Sequence, residues 1–237
     1  MKLITKRMMR GLRVLLWSMC GIVLFYLLIL FVYRWVPIPT SAFIYHQNAL
    51  HKAEPNVYSQ ANYEWIDWKE IPSDVVLAVI TAEDQRFPNH WGVDVIEMRN
   101  AILNREGASS IRGASTITQQ VAKNLFLWNG RSYLRKGVEI FISLSLELIW
   151  SKERILEVYL NIAQFAPVTF GVKAASEKLY GKLPQALTRE ECAMIAAVLP
   201  TPAKSNALDP SPTLQKRHAW ILKHMEKLGG VAYLKKL

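Results

Sequence analysis

Cysteine is almost missing from this chain: its 237 residues contain two, Cys20 and Cys192. Cys20 falls in an apolar N-terminal run and Cys192 in a later apolar helix pattern. The pair therefore reads as inert small apolar residues on different sides of an interface, which excludes a disulfide framework. No CxxC or His-x-His spacing points to a structural metal. Charge is missing in three further places. The first thirteen residues hold Lys2, Lys6, Arg7, Arg10 and Arg13 but no acid. The twenty residues from Val14 to Tyr33 hold no charge at all, and Gly107 to Val138 holds no Asp or Glu. There is no internal repeat and no convincing alternating strand, so the fold reads as mainly α.

Twenty uncharged residues span a bilayer core as a helix. The run is too long for a typical cleaved signal, and no small-x-small site follows it. Trp17 at one end, and Tyr33 and Trp35 at the other, suit interfacial aromatic belts. The basic flank is retained in the cytoplasm, so the C-terminal bulk is exported. That flank carries five of the ten net positive charges. The expected organisation is a basic tail over 1–13, a transmembrane helix over 14–36, a connecting segment over 37–72 and a domain over 73–237. Residues 41–72 are aromatic-rich with no clear period. Helix signals follow at 74–87, 93–104, 115–127, 135–150, 152–163, 171–180, 189–199 and 213–228. Ser151 caps the helix after it, and Thr188 to Glu191 forms a capping box.

The acid-free run carries Arg112, Lys123, Arg131, Arg135 and Lys136. Ser115, Thr116, Thr118, Gln119, Gln120 and Asn124 are interleaved. Five cations without an acid call for anionic company such as phosphate. Arg135 and Lys136 open a helix against its dipole, which again suggests an external anion. The alternative is a solvated basic face near anionic lipid headgroups. Nucleic acid fits poorly, because no nucleic-acid motif is present and the domain is exported.

Two carboxylates stand out. Pro72, Ser73 and Asp74 open a helix, with Ser73 as a candidate cap, and Pro88 closes it. Val76, Val79, Ile80 and Glu83 fall at i, i+3, i+4 and i+7, so Glu83 lies on an apolar face. Burial there raises its pKa and makes it a proton acceptor near neutral pH. The plainer alternative is a helix-end glutamate that reaches water or a partner arginine. Glu139 follows Lys136 by three residues and Arg135 by four, so the three share a face. Its plainer alternative is an intrahelical salt bridge.

At this point the chain resembles the peptidoglycan glycosyltransferase family, and within it the monofunctional biosynthetic transglycosylases of Gram-negative bacteria. The resemblance covers the anchor and about Asp67 to the C-terminus. One motif is Glu83, Asp84, Phe87, His90 and Gly92. A second is Gly113, Ser115, Thr116, Gln119, Gln120, Lys123 and Asn124. A third is Arg135, Lys136 and Glu139, and a fourth is Ser151, Lys152, Ile155, Leu156, Tyr159, Leu160 and Asn161. Ordered motifs at these spacings are far more specific than one short pattern. One departure follows Asn161: where the family has Glu and Gly, this chain has Gln164 and Ala166.

The resemblance implies a lysozyme-like α fold with head and jaw lobes, the jaw dipping into the membrane. It implies lipid II and the growing glycan strand as substrates, with Glu83 and Glu139 catalytic. It assigns substrate binding to Asp84, Phe87, His90, Ser115, Thr116, Gln119, Gln120, Lys123, Asn124, Arg131, Arg135 and Lys136. No cofactor is required, although a divalent cation, magnesium or manganese, is a candidate at the pyrophosphate. Inner-membrane lipids and cell-wall synthesis or division proteins are the expected partners. No Ser-x-x-Lys occurs and the chain ends soon after the motifs, so a transpeptidase is not expected. Two rivals stand beside this reading. One is a lytic enzyme that cuts glycan strands with carboxylates; the other is a membrane-anchored scaffold that binds anionic lipid.

Overall fold

The computed structural model describes residues 2–103, 115–130 and 132–237. Two units divide between Pro37 and Ile38. The first is helix α1, Lys2–Val32. Within it Gly11–Val32 has a mean hydropathy of 2.6 and the length to cross a membrane. The helix stops at Val32, short of the expected 36, and a turn precedes Pro37 and Pro39. Proline has no amide to continue the helical bonding.

The second unit is mostly helical. Residues 41–72 are more ordered than their lack of period suggests. Ser41 accepts the Ile44 amide and caps α2, Ala42–Ala53. Strand β1, Asn62–Tyr63, follows. Helix α3, Ser73–Glu83, begins after Pro72, so Ser73 is its first residue and makes no cap bond. Val75, Val76, Leu77, Ala78, Val79 and Ile80 are all buried. A helix apolar all round belongs in a core, and α3 is the axis of this one. It ends at Glu83, ahead of Pro88, because Asp84 leaves the helical region at φ −163°.

Helix α4 is Val95–Leu103 and α5 is Ile117–Phe126. Helix α6, Tyr133–Ile149, is capped by Ser132, and α7, Lys152–Ile162, by Ser151 as expected. Strands β2, Gln164–Ala166, and β3, Thr169–Phe170, join β1 in a sheet of order β1-β3-β2. These strands have two or three residues, too few to show a period of two. Helices α8, Val172–Tyr180, α9, Arg189–Ala197, and α10, Pro212–Lys227, complete the unit. The Thr188–Glu191 capping box opens α9. Cys192 is buried in α9, and burial pushes its thiol up to about 12, so it stays an inert thiol.

Helices α9 and α10 pack against α3, while α2, α6 and α7 pack against α5. The C-terminal end of α3 meets α5 between these groups. The departure at Gln164 and Ala166 is accommodated locally. Ala166 pairs with Thr169 and has no positive φ; the left-handed residue is Val168, at φ 52°. Glycine's freedom is therefore not required at 166. Asn161 ties the sheet side to the core: its amide bonds the N–H and C=O of Ile66 at 2.8 and 2.9 Å, fully buried. Asn161→Ala leaves that backbone pair unmatched and is expected to destabilise the domain by about 2 kcal/mol, read as a lower thermal midpoint.

Candidate active site

Glu83 ends α3 with its side chain 14% exposed. Its two oxygens are held from two directions. Gln120 on α5 donates to Oε2 at 2.9 Å, and Arg217 on α10 donates to Oε1 at 2.9 Å. The Tyr159 hydroxyl donates to Gln120 Oε1 at 3.0 Å and so aims the amide N–H at Glu83. Burial pushes the Glu83 carboxyl above its ordinary 4.5, against the pull of Gln120, Arg217 and Lys123. A raised carboxyl facing a cleft is what a general base requires. A cavity of about 430 Å³ opens beside it, lined by Glu83, Arg86, Glu97, Ser115 and Trp220 among others.

The remainder of the first motif builds the floor. Asp84 accepts hydrogen bonds from His90 Nε2 at 3.0 Å and from the Ile117 amide, the first of α5, at 3.0 Å. An anion at a helix N-terminus is favourably placed. Phe87 is buried beneath the Lys152 ammonium, 4.3 Å from its ring centre. Lys152 also donates to the His90 carbonyl and to Glu147. Glu147 further accepts the Gly92 amide and the Thr118 hydroxyl. Gly92 sits at φ 69°, and a Cβ there would lie 3.2 Å from the backbone of Ser143 on α6. Asp84, Phe87 and His90 make these contacts inside the protein, and Asp84 also lines the first cavity.

In the second motif Thr116 and Gln119 are buried and form the capping box that opens α5, Thr116 also donates to the Gly92 carbonyl, and the two line the first and the second cavity respectively. Gln120 and Lys123, one turn apart on α5, face the chemistry. Lys123 lines a second cavity of about 340 Å³ with Ser115, Gln119, Gln120, Asn129, Gly130, Arg135, Lys136 and Glu139. Asn124 lines neither cavity. Arg131, Arg112 and Gly113 lie outside the described residues.

Glu139 is 2% exposed and is the acid of this second cavity. Arg135 Nη1 donates to one of its oxygens at 2.6 Å and Lys136 Nζ to the other. The intrahelical salt bridge anticipated from spacing is therefore present, and it holds two cations on the cavity wall. Burial pushes the Lys123 ammonium down, opposed by Glu139 and Glu83 and reinforced by Arg135 and Lys136. Two buried donors of residues lining it, Gln119 Nε2 and Arg135 Nε, have no partner among the described residues. Buried donors normally find a partner, and these two, with Lys123, Arg135 and Lys136, give the cavity a donor-rich, cationic lining. Both Glu139 oxygens already face cations, so among the described lining residues no carboxylate oxygen is left unpaired for a divalent cation. Asp84, His90 and Asp94 cluster within 4.8 Å. They need no ion to explain them: Asp94 is bonded by Arg86 and by the amides of Ile96 and Glu97.

Spacing missed Arg217. The available signal is that it follows buried Leu214 by three residues and precedes buried Ile221 by four, a cation on an apolar face. The raised Glu83 carboxyl yields a stability prediction. Stability associated with its protonated form is present below 4.5 and is lost as pH rises through the raised value. Glu83→Gln is therefore expected to raise the thermal midpoint at pH 7 and to leave it unchanged near pH 4, in a paired pH series of melts.

The chain matches the family described as Transglycosylase over residues 47–226. It is 49% identical over 207 residues to a biosynthetic peptidoglycan transglycosylase of Mannheimia succiniciproducens, covering 87% of this chain and 84% of that one. It is 44% identical to one of Pseudomonas putida, covering 95% and 93%, and 47% identical to one of Klebsiella oxytoca, covering 84% and 83%. With the cleft carboxylate, the cationic cavity and matches of this extent in agreement, the chain belongs to the transglycosylase family.

Proposed function

We propose that this protein polymerises peptidoglycan glycan strands from lipid II. The observation that carries the reading is the adjacency on α5: Gln120 holds the raised carboxyl of Glu83, and one turn later Lys123 lines the cationic cavity. A base and an anion site one helical turn apart suit a reaction that removes a hydroxyl proton and releases a pyrophosphate. The 4-hydroxyl of the GlcNAc of an incoming lipid II attacks the anomeric carbon of the lipid-linked strand. Glu83 takes the hydroxyl proton as the new C–O bond forms. The bond to the pyrophosphate breaks, and its electron pair leaves with undecaprenyl pyrophosphate. One displacement inverts the anomeric centre.

Lys123, Arg135 and Lys136 meet the charge that gathers on the leaving group. Arg131 has the same assignment from its place in the acid-free run. Glu139 keeps its two cations in place and is neutralised by them, so its part is orientation. A lytic reaction at a neutral glycosidic bond has no use for that cavity, and a passive scaffold has none for a raised carboxyl beside it.

We further place the protein in the inner membrane, single-pass, with the basic tail in the cytoplasm and the domain outside. The uncharged span with its basic flank supports this. The α6 surface exposes Tyr133, Leu134, Phe141 and Leu148, which suits a jaw lobe that dips into lipid. Glu83→Gln is expected to lower polymerisation of lipid II by about 10²–10⁴-fold while the protein stays folded. Lys123→Ala is expected to lower turnover with little change in vesicle binding, because a lipid-facing charge contributes only about 1 kcal/mol. Near-normal turnover of Glu83→Gln, or loss of activity by Lys123→Ala only in step with vesicle binding, would overturn the reading.

A further inference from the structure

Arg217 lies outside every motif that carries the family resemblance, yet it touches the proposed base directly. It stands 134 residues from Glu83 in sequence and reaches it from α10. The same Nη2 atom donates to Glu83 Oε1 at 2.9 Å and to the Ala82 carbonyl at 3.2 Å. Ala82 belongs to the last turn of α3, where carbonyls have no helical partner and a cation is favourably placed. The arginine side chain is 31% exposed, so the contact is shielded without being sealed from water.

We propose that Arg217 is the positioning residue of the Glu83 carboxylate, fixing Oε1 from α10 while Gln120 fixes Oε2 from α5. A carboxylate has about four lone-pair sites, so two remain for the substrate hydroxyl. Held on both sides, the group cannot rotate away from the cleft. The arginine also supplies a charge. The groups facing Glu83 are Arg217 from α10, Gln120 and Lys123 from α5, Tyr159 from α7 and Asp84 beside it. Arg217 and Lys123 are the cations among them, and of these Arg217 is bonded to the carboxylate. Without it, burial acts on Glu83 with less opposition, and a larger share of the enzyme carries a protonated base at neutral pH. Lys123 is a poor substitute, because the pyrophosphate competes for it.

This inference rests on Glu83 being the base. The experiment measures kcat/KM for lipid II polymerisation against pH, with thermal melts, for the full-length wild type, Glu83→Gln, Arg217→Met, Arg217→Gln and Arg217→Lys. Arg217→Met is expected to lose about 10- to 100-fold at neutral pH, below the full value of a general base. The loss should shrink as pH rises, because the acid limb moves to higher pH. Arg217→Lys should keep the limb near its wild-type position with a smaller loss. If Arg217→Met does not fold, Arg217→Gln, uncharged but polar, must show the same displacement. A folded neutral variant whose profile is wild-type in shape, scaled down or not, overturns the proposal. Failure of the underlying reading looks different: Glu83→Gln then turns over at near wild-type rate, or keeps the wild-type acid limb.

Discussion

The Asp84 carboxylate receives the His90 ring on one side and the first amide of α5 on the other, buried at the edge of the first cavity. Much of the cleft depends on this hub. It determines where α3 stops and where α5 starts, and so brings Gln120 to Glu83 and Lys123 to the cationic wall. Lys152 and Glu147 then clamp the loop between them, bonding the His90 carbonyl and the Gly92 amide. An anion at a helix N-terminus within a buried network is worth more than the same contact on a surface. The motif around Glu83 thus joins the end of α3 to the start of α5 through contacts made inside the protein.

The two principal carboxylates of the cleft have different partners. Glu83 is held by one amide and one partly exposed guanidinium, and burial wins, so its affinity for a proton is raised. Glu139 is surrounded by Arg135 and Lys136, which occupy both oxygens. The acid-free composition of the run serves this division: nothing else in its described part neutralises the cations that line the cavity.

The sequence by itself determined whatever depends on neighbours within a few residues. Helical periodicity placed Glu83 on an apolar face and Glu139 beside its cations, and Ser151 and Thr188 announced their caps, because each contact spans one turn. The uncharged run declared the apolar helix by length alone. What spans only two or three residues left no period, so β1, β2 and β3 were silent, and α2 lacked a pattern strong enough to read. Only the tertiary structure decided which motif residues face the cleft and which support it. His90 meets Asp84, Gly92 approaches Ser143, and Arg217 reaches Glu83 across separations that no local periodicity encodes. Spacing shows which residues share a helix face; packing alone determines what that face meets.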